Sequence, residues 1–140
     1  MKIKGMSLFS GGGIGERELG KTNLKIVIAN ELLPIRAKFY KFYNPKTDRV
    51  CGDITNPEIK SQLISKAKAE NVDFILATPP CQGASLIGKN KDLESRKKDI
   101  RNYLVFHALE IIDSILPSFV LFENVTRFYK ILYSFDGQNN

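Results

Sequence analysis

The residues with the strongest chemical character cluster at the ends of apolar runs. Cys81 stands in Ala77-Thr78-Pro79-Pro80-Cys81-Gln82-Gly83. Two prolines fix φ and remove two backbone donors, so the segment is a stiff pedestal for a thiol whose attacking form is the thiolate. An arbitrary free cysteine is most often a small buried hydrophobe. Cys51, inside the short apolar run at 49–51, fits that description, whereas Cys81 lies in a polar, glycine-bounded loop. Glu123-Asn124 closes the run Phe119-Val120-Leu121-Phe122. Partial desolvation there raises a carboxyl's pKa and suits it to protonate or hydrogen-bond a ring nitrogen, the alternative being a solvated strand-end residue.

Three further groups suit a ligand. Ser10-Gly11-Gly12-Gly13 permits a backbone turn that side chains resist and lets a ligand approach the main chain. Glu31 follows about twenty residues later, where a carboxylate accepts from ribose hydroxyls or serves as a charge at a helix N-terminus. Asp53, in Gly52-Asp53-Ile54, is placed either to accept from an exocyclic amine with Ile54 against the ring, or as an ordinary turn aspartate. Together the glycine loop and Glu31 point to a nucleoside-containing cofactor. The dinucleotide fingerprint G-x-G-x-x-G fails, because Glu16 occupies its third glycine position. His107, between Leu104 and Ile111, reads as a half-buried histidine beside an apolar stripe.

Positioning these groups requires strands that end side by side. Strands are expected at Ile3–Phe9, Leu24–Ala29, Arg49–Cys51, Phe74–Ala77 and Phe119–Phe122. Several are continuously apolar, as when helices cover both faces of a parallel sheet. Helices are expected near Ile14–Gly20, Leu32–Tyr43, Pro57–Glu70 and Asp99–Leu116. Thr55-Asn56 before Pro57 supplies a cap and a first-turn proline. Ile100, Leu104, Ala108, Ile111 and Ile115 form a stripe at helical spacing, and Pro117 ends it. Residues 83–98 read as a long exposed loop. In open α/β sheets ligands bind beyond the carboxyl ends of the strands, where every group above falls.

Composition narrows the classes. A chain of 140 residues, 43% apolar, makes about one domain with a real core. Lys plus Arg number 21 against 15 Asp plus Glu, a net charge of +6 that suits a polyanionic partner. No stretch approaches the roughly 18 consecutive apolar residues of a membrane span. The N-terminus has no secretory h-region. Two cysteines and one histidine do not build a Cys/His zinc site, so no metal is expected. A cytoplasmic protein with reduced thiols is the reading.

Ser7-Leu8-Phe9-Ser10-Gly11, Gly52-Asp53-Ile54, Pro79-Pro80-Cys81-Gln82-Gly83 and Glu123-Asn124-Val125 resemble, in order, the motifs of the C5-cytosine DNA methyltransferases. Asp99-Ile100-Arg101-Asn102-Tyr103-Leu104 resembles that family's segment ahead of the helix leading to Glu-Asn-Val. The resemblance runs from Lys4 to about Val125. It implies an α/β, Rossmann-like S-adenosylmethionine-dependent methyltransferase fold, with a mostly parallel sheet incomplete at its C-terminal side. It also implies S-adenosylmethionine as cofactor, cytosine C5 of a flipped base in duplex DNA as target, and a restriction-modification setting. On this carry-over Phe9, Ser10, Gly11 and Gly13 border the methionine moiety and Glu31 the ribose. Asp53 and Ile54 contact adenine, and Pro80 and Leu104 line the pocket. Cys81 becomes the nucleophile that attacks C6, and Glu123 the group on the cytosine edge. Gln82, Ser85, Lys89, Lys91, Arg96 and Lys97 become nucleic-acid contacts on a basic loop that closes over the flipped base.

Two departures modify this. Gly13-Ile14 stands where many family members carry paired glycines. The family also continues past Glu-Asn-Val into a target-recognition region, so residues 1–140 read as a partial catalytic domain with that region absent. A split enzyme completed by a second polypeptide, a truncated fragment with little or no activity alone, and a non-catalytic S-adenosylmethionine-binding module remain open. So do a tRNA cytosine-C5 methyltransferase and, on the same general fold, a nicotinamide-dependent oxidoreductase. The failed third glycine and the Pro-Pro-Cys pedestal oppose the last of these.

Overall fold

In a computed structural model, residues 2–80 and 100–125 are described. Five strands form one sheet: β1 (Ile3–Leu8), β2 (Leu24–Glu31), β3 (Asp48–Cys51), β4 (Phe74–Ala77) and β5 (Phe119–Phe122). All neighbours are parallel, in the order β3-β2-β1-β4-β5. Among the described residues three α-helices connect them: α1 (Pro34–Tyr43), α2 (Pro57–Glu70) and α3 (Leu104–Ile115). The order reverses at β1, so the first connection leads one way along the sheet and the third leads back past it to β4. That reversal opens a crevice above the carboxyl ends of β1 and β4.

Strand alternation sorts the layers. Met6 and Leu8 of β1, Ile28 of β2 and Ile75 of β4 join one buried cluster with Leu63 of α2 and Ile111 of α3. Ser7, between Met6 and Leu8, points to the other face, where α1 supplies buried Ala37 and Tyr40. The helices begin where their sequences allow. Pro34 and Pro57 occupy the first turns of α1 and α2, where no N–H is needed. The Asn56 side chain accepts from Glu58 N at 2.8 Å, and Glu58 places an acid in that first turn. Both α2 and α3 end on a left-handed residue, Asn71 (φ 54°) and Leu116 (φ 55°), the second directly before Pro117.

The sequence and the structure differ at three places. The helix expected at Ile14–Gly20 is a series of tight turns ending in a single 3-10 turn at Leu19–Lys21. Arg17, Leu19 and Lys21 each donate to the carbonyl three residues back, so the α-helical spacing never starts. Glycines at 15 and 20 weaken any helix there. The stripe on α3 loses its first member, because Ile100 lies in the 3-10 turn Ile100–Tyr103 and is exposed. Cys51 is exposed at the end of β3 rather than buried. The C-terminal side of the sheet, expected to be incomplete, ends at the edge strand β5, whose Phe119–Phe122 are 36–55% exposed.

No described helix is long and apolar enough to cross a membrane. The capping account of α2 is open to direct measurement. Asn56→Ala removes the acceptor for Glu58 N, and the expected loss is about 1 kcal/mol of stability, read from the urea midpoint at unchanged slope.

Candidate functional site

A cleft of about 480 Å³ opens above the carboxyl ends of the strands. Phe9 enters it from the end of β1, Glu31 from β2, Asp53 and Ile54 from the turn after β3, and Pro80 from the segment after β4. Leu104, the first residue of α3, closes the far wall. These are six of the residues the sequence singles out, brought to one place by the parallel topology.

The local hydrogen bonds explain why the strand ends hold this shape. Glu31 is 7% exposed and its carboxylate is shared: Gly11 N donates to Oε2 at 2.9 Å and Leu33 N to Oε1 at 2.9 Å. Gly11 takes φ 58°, a conformation a side chain resists. Phe9 also stands in the left-handed region (φ 61°), at a cost of order 1–2 kcal/mol for a residue with a side chain. Neighbours hold it there. The Thr78 hydroxyl donates to Phe9 O at 3.0 Å, and Ser10 N donates to Asn30 O at 2.9 Å. Asn30 is buried and donates through Nδ2 to Val50 O (3.0 Å) and Gly52 O (3.1 Å), which fixes the turn carrying Asp53. Asp53 Oδ1 accepts from Thr55 N at 2.9 Å.

Beneath the glycine loop lies a buried carboxyl. Glu16 accepts a hydrogen bond from the Tyr40 hydroxyl, and Tyr40's ring stands where a Cβ on Gly13 (φ 77°) would come within 2.9 Å. Burial pushes the Glu16 carboxyl up from its ordinary range, while the Ser7 and Tyr40 hydroxyls pull it partly back. Burial and the facing Glu16 raise Tyr40 as well.

A family model for C-5 cytosine-specific DNA methylases matches residues 3–131. The chain belongs to that family. It is 39% identical over 136 residues to the type II methyltransferase M1.HgaI of Avibacterium volantium, covering 97% of this chain and 38% of that protein. Among solved structures, a mutant of Spodoptera frugiperda DNMT2 superposes with a TM-score of 0.67 at 26% identity, over 93% of this chain and 38% of that one. A short-chain dehydrogenase/reductase of Saccharomyces cerevisiae, YIR035C, matches with a TM-score of 0.58 at 19% identity, over 87% of this chain and 53% of that one; this likeness is of fold alone. The α/β, Rossmann-like architecture is that of the methyltransferases, of which the chain covers part. It spans less than half the length of the curated relatives it matches. Family and fold imply S-adenosylmethionine as cofactor.

Within this methylase fold the remaining sequence-named residues fall as follows. Ser10 and Gly11 are bonded to the end of β2, while Gly13 lines an adjoining cavity with Gly12 and Ile14. Glu123 lies exposed after β5, so the desolvation expected of it is not found. Its N–H donates to Ala77 O at 3.0 Å, and Asn124 Nδ2 donates to Pro79 O at 2.9 Å, tying the Glu-Asn pair to the segment that leads to Cys81. Cys81, Gln82, Ser85, Lys89, Lys91, Arg96 and Lys97 lie outside the described residues. His107 is half-buried between α2 and α3, its Nδ1 3.2 Å from Lys60 Nζ, away from the cleft.

Asn30, Thr78 and Arg36 also line the cleft, and Glu16 supports the glycine loop, without a motif in the sequence that marks them as site residues. A lone amide after Ile26-Val27-Ile28-Ala29 was the available signal for Asn30. Thr78 and Glu16 depend on partners too distant in sequence to see, and Arg36 is marked only by its place in the lining of two cavities.

Glu16 yields a pH prediction. A carboxyl whose folded pKa exceeds its unfolded value holds its proton more tightly in the native state. Its contribution is therefore complete below the ordinary value of 4.5 and is lost as pH rises through the raised folded value. Glu16→Gln keeps an acceptor for Tyr40 and removes the titration. Urea midpoints should show wild type losing ground to the variant as pH rises across that window, and a constant difference would refute the assignment.

Proposed function

We propose that this chain is the cofactor-binding and nucleophile-bearing part of an enzyme that transfers a methyl group from S-adenosylmethionine to C5 of cytosine in DNA. The observation carrying this reading is the single cleft that collects Phe9, Glu31, Asp53, Ile54, Pro80 and Leu104. Its volume of about 480 Å³ falls in the ordinary range for small-ligand sites. The donor set fits the adenosyl group. Each Glu31 oxygen is occupied by one N–H and keeps acceptor capacity for a ribose hydroxyl. Asp53 commits one oxygen to Thr55 N and leaves the other for an exocyclic amine. Phe9, Ile54, Pro80 and Leu104 give the flat base apolar walls. Bound there, the cofactor supplies an electrophilic methyl group.

The chain's own residues make the base reactive. Cytosine C5 is a poor nucleophile until the Cys81 thiolate adds to C6, which places the ring's electrons at C5. Glu123, on the N3/N4 edge, stabilises charge that develops mainly in the transition state. Once C5 carries its methyl group and the donor's sulfur is left as a neutral thioether, C5 gives its proton to water, and the electron pair of that C–H bond re-forms the C5–C6 double bond as the Cys81 thiolate is expelled. A stacked base does not reach this thiol, so the nucleotide is flipped out. Gln82, Ser85, Lys89, Lys91, Arg96 and Lys97 contact the nucleic acid around it.

We assign residues 1–140 to part of a catalytic domain whose target recognition comes from further polypeptide. The exposed apolar strand β5 supports this, because an uncovered sheet edge is a place where more chain pairs. Covering β5 also desolvates Glu123, the condition its role requires.

In the completed enzyme, Cys81→Ser abolishes covalent trapping on a duplex bearing 5-fluorocytosine, seen as loss of the denaturation-resistant protein–DNA band. Retained trapping places the nucleophile elsewhere. The 140-residue chain alone should methylate duplex DNA at background level, and robust site-specific methylation by it overturns the partial-domain assignment.

A further inference from the structure

Arg36, in the first turns of α1, belongs to two linings at once. It borders the 480 Å³ cleft alongside Glu31, Leu33 and Asp53, and also the adjoining cavity of about 580 Å³ with Gly12, Gly13 and Ile14. It is the one described residue common to both. Its guanidinium is exposed and makes no hydrogen bond or ion pair with a described residue. The nearest carboxylate in sequence, Glu31, already holds two backbone N–H groups. An arginine kept at a ligand cleft without an internal partner is a free, bidentate site for a carboxylate.

The chemistry of the cleft says where such an anion sits. Glu31 and Asp53 are acceptors, suited to the hydroxyls and amine of a nucleoside and repelling an anionic group. A ligand with a donor-rich nucleoside and one carboxylate must therefore direct the carboxylate away from them. The glycine loop lies in that direction, and Arg36 is the cation between. Arg17 lines the adjoining cavity but not the cleft, and Arg101 lines the cleft from the turn before Leu104.

We infer that Arg36 binds the carboxylate of the cofactor's methionine end and makes the cleft selective for the intact amino acid moiety. This inference rests on the S-adenosylmethionine reading above and adds a residue to it.

The test compares S-adenosylmethionine with its decarboxylated form, which keeps the nucleoside, sulfonium and amine, by equilibrium binding to the full 140-residue chain. Arg36→Ala should weaken S-adenosylmethionine by about tenfold to a hundredfold, the scale of a charge-assisted hydrogen bond, and change the decarboxylated compound by less than about twofold. Arg36→Lys should recover part of the difference, because the charge returns without the planar fork. Thermal midpoints of both variants, at an exposed position, should match wild type. Equal loss for both compounds, no loss for either, or a carboxylate-selective loss in Arg101→Ala instead overturns the assignment. A wild-type chain that binds neither compound overturns the cofactor reading, and this inference with it.

Discussion

A carboxylate taken out of water must be compensated by donors held in place, and Glu31 meets that demand with two backbone N–H groups from different segments. Each charge-assisted bond of this kind contributes about 1.5–3 kcal/mol, and losing both leaves a buried charge unpaired. One donor comes from Gly11, so the glycine loop is drawn over the end of β2. The other comes from Leu33, so the chain is turned directly into α1 at Pro34. The loop, the helix start and the acceptor for a ligand are thus set by one side chain. The same contact places Arg36 one turn along α1, between the cleft and the glycine loop.

Asn30, next to Glu31 and pointing to the opposite face by strand alternation, extends the arrangement sideways. Its amide holds Val50 and Gly52 carbonyls, while its own carbonyl accepts from both Ser10 N and Ser10 Oγ. The ends of β1, β2 and β3 are therefore locked together around two adjacent residues. Thr78 does the equivalent for β4 by bonding Leu8 O and Phe9 O. The left-handed Phe9 is tolerated because its carbonyl and the following N–H are both held. Preorganisation of this sort lowers what a ligand must spend on ordering the site.

What was legible in the sequence follows from what is local. β-Prone apolar runs gave all five strands within a residue or two, because parallel strands buried on two faces leave a strong mark. Asn56-Pro57 placed the start of α2 because a cap and its N–H partner are two residues apart. Glu31 and Asp53 were found because each stands at the end of a run. The misses are tertiary. A helix was expected at residues 14–20, between the first two strands, yet glycines and the burial of Glu16 against Tyr40, twenty-four residues away, favour turns. The exposure of Cys51 depends on β3 lying at a sheet edge, and strand order is not written in any one segment. Arg36 has no local pattern at all; it is visible only as the side chain shared by two linings.

The fold is shared with dehydrogenases, as the likeness to a yeast short-chain enzyme shows, so the kind of cofactor must be argued from the site. A dinucleotide carries a diphosphate, and folds that bind one set it against the N-terminus of the helix that follows the glycine loop. Here the glycine loop leads into successive three-residue turns and a 3-10 turn at Leu19–Lys21, so no helix dipole faces the cleft from that side. The position where the fingerprint has its third glycine, which permits close helix–strand packing, holds Glu16 with its carboxyl buried against Tyr40. Two acceptors in the cleft, Glu31 and Asp53, add to the penalty for a doubly negative ligand. A nucleoside joined to an amino acid, which needs no helix N-terminus at the glycine loop, matches this site where a diphosphate does not.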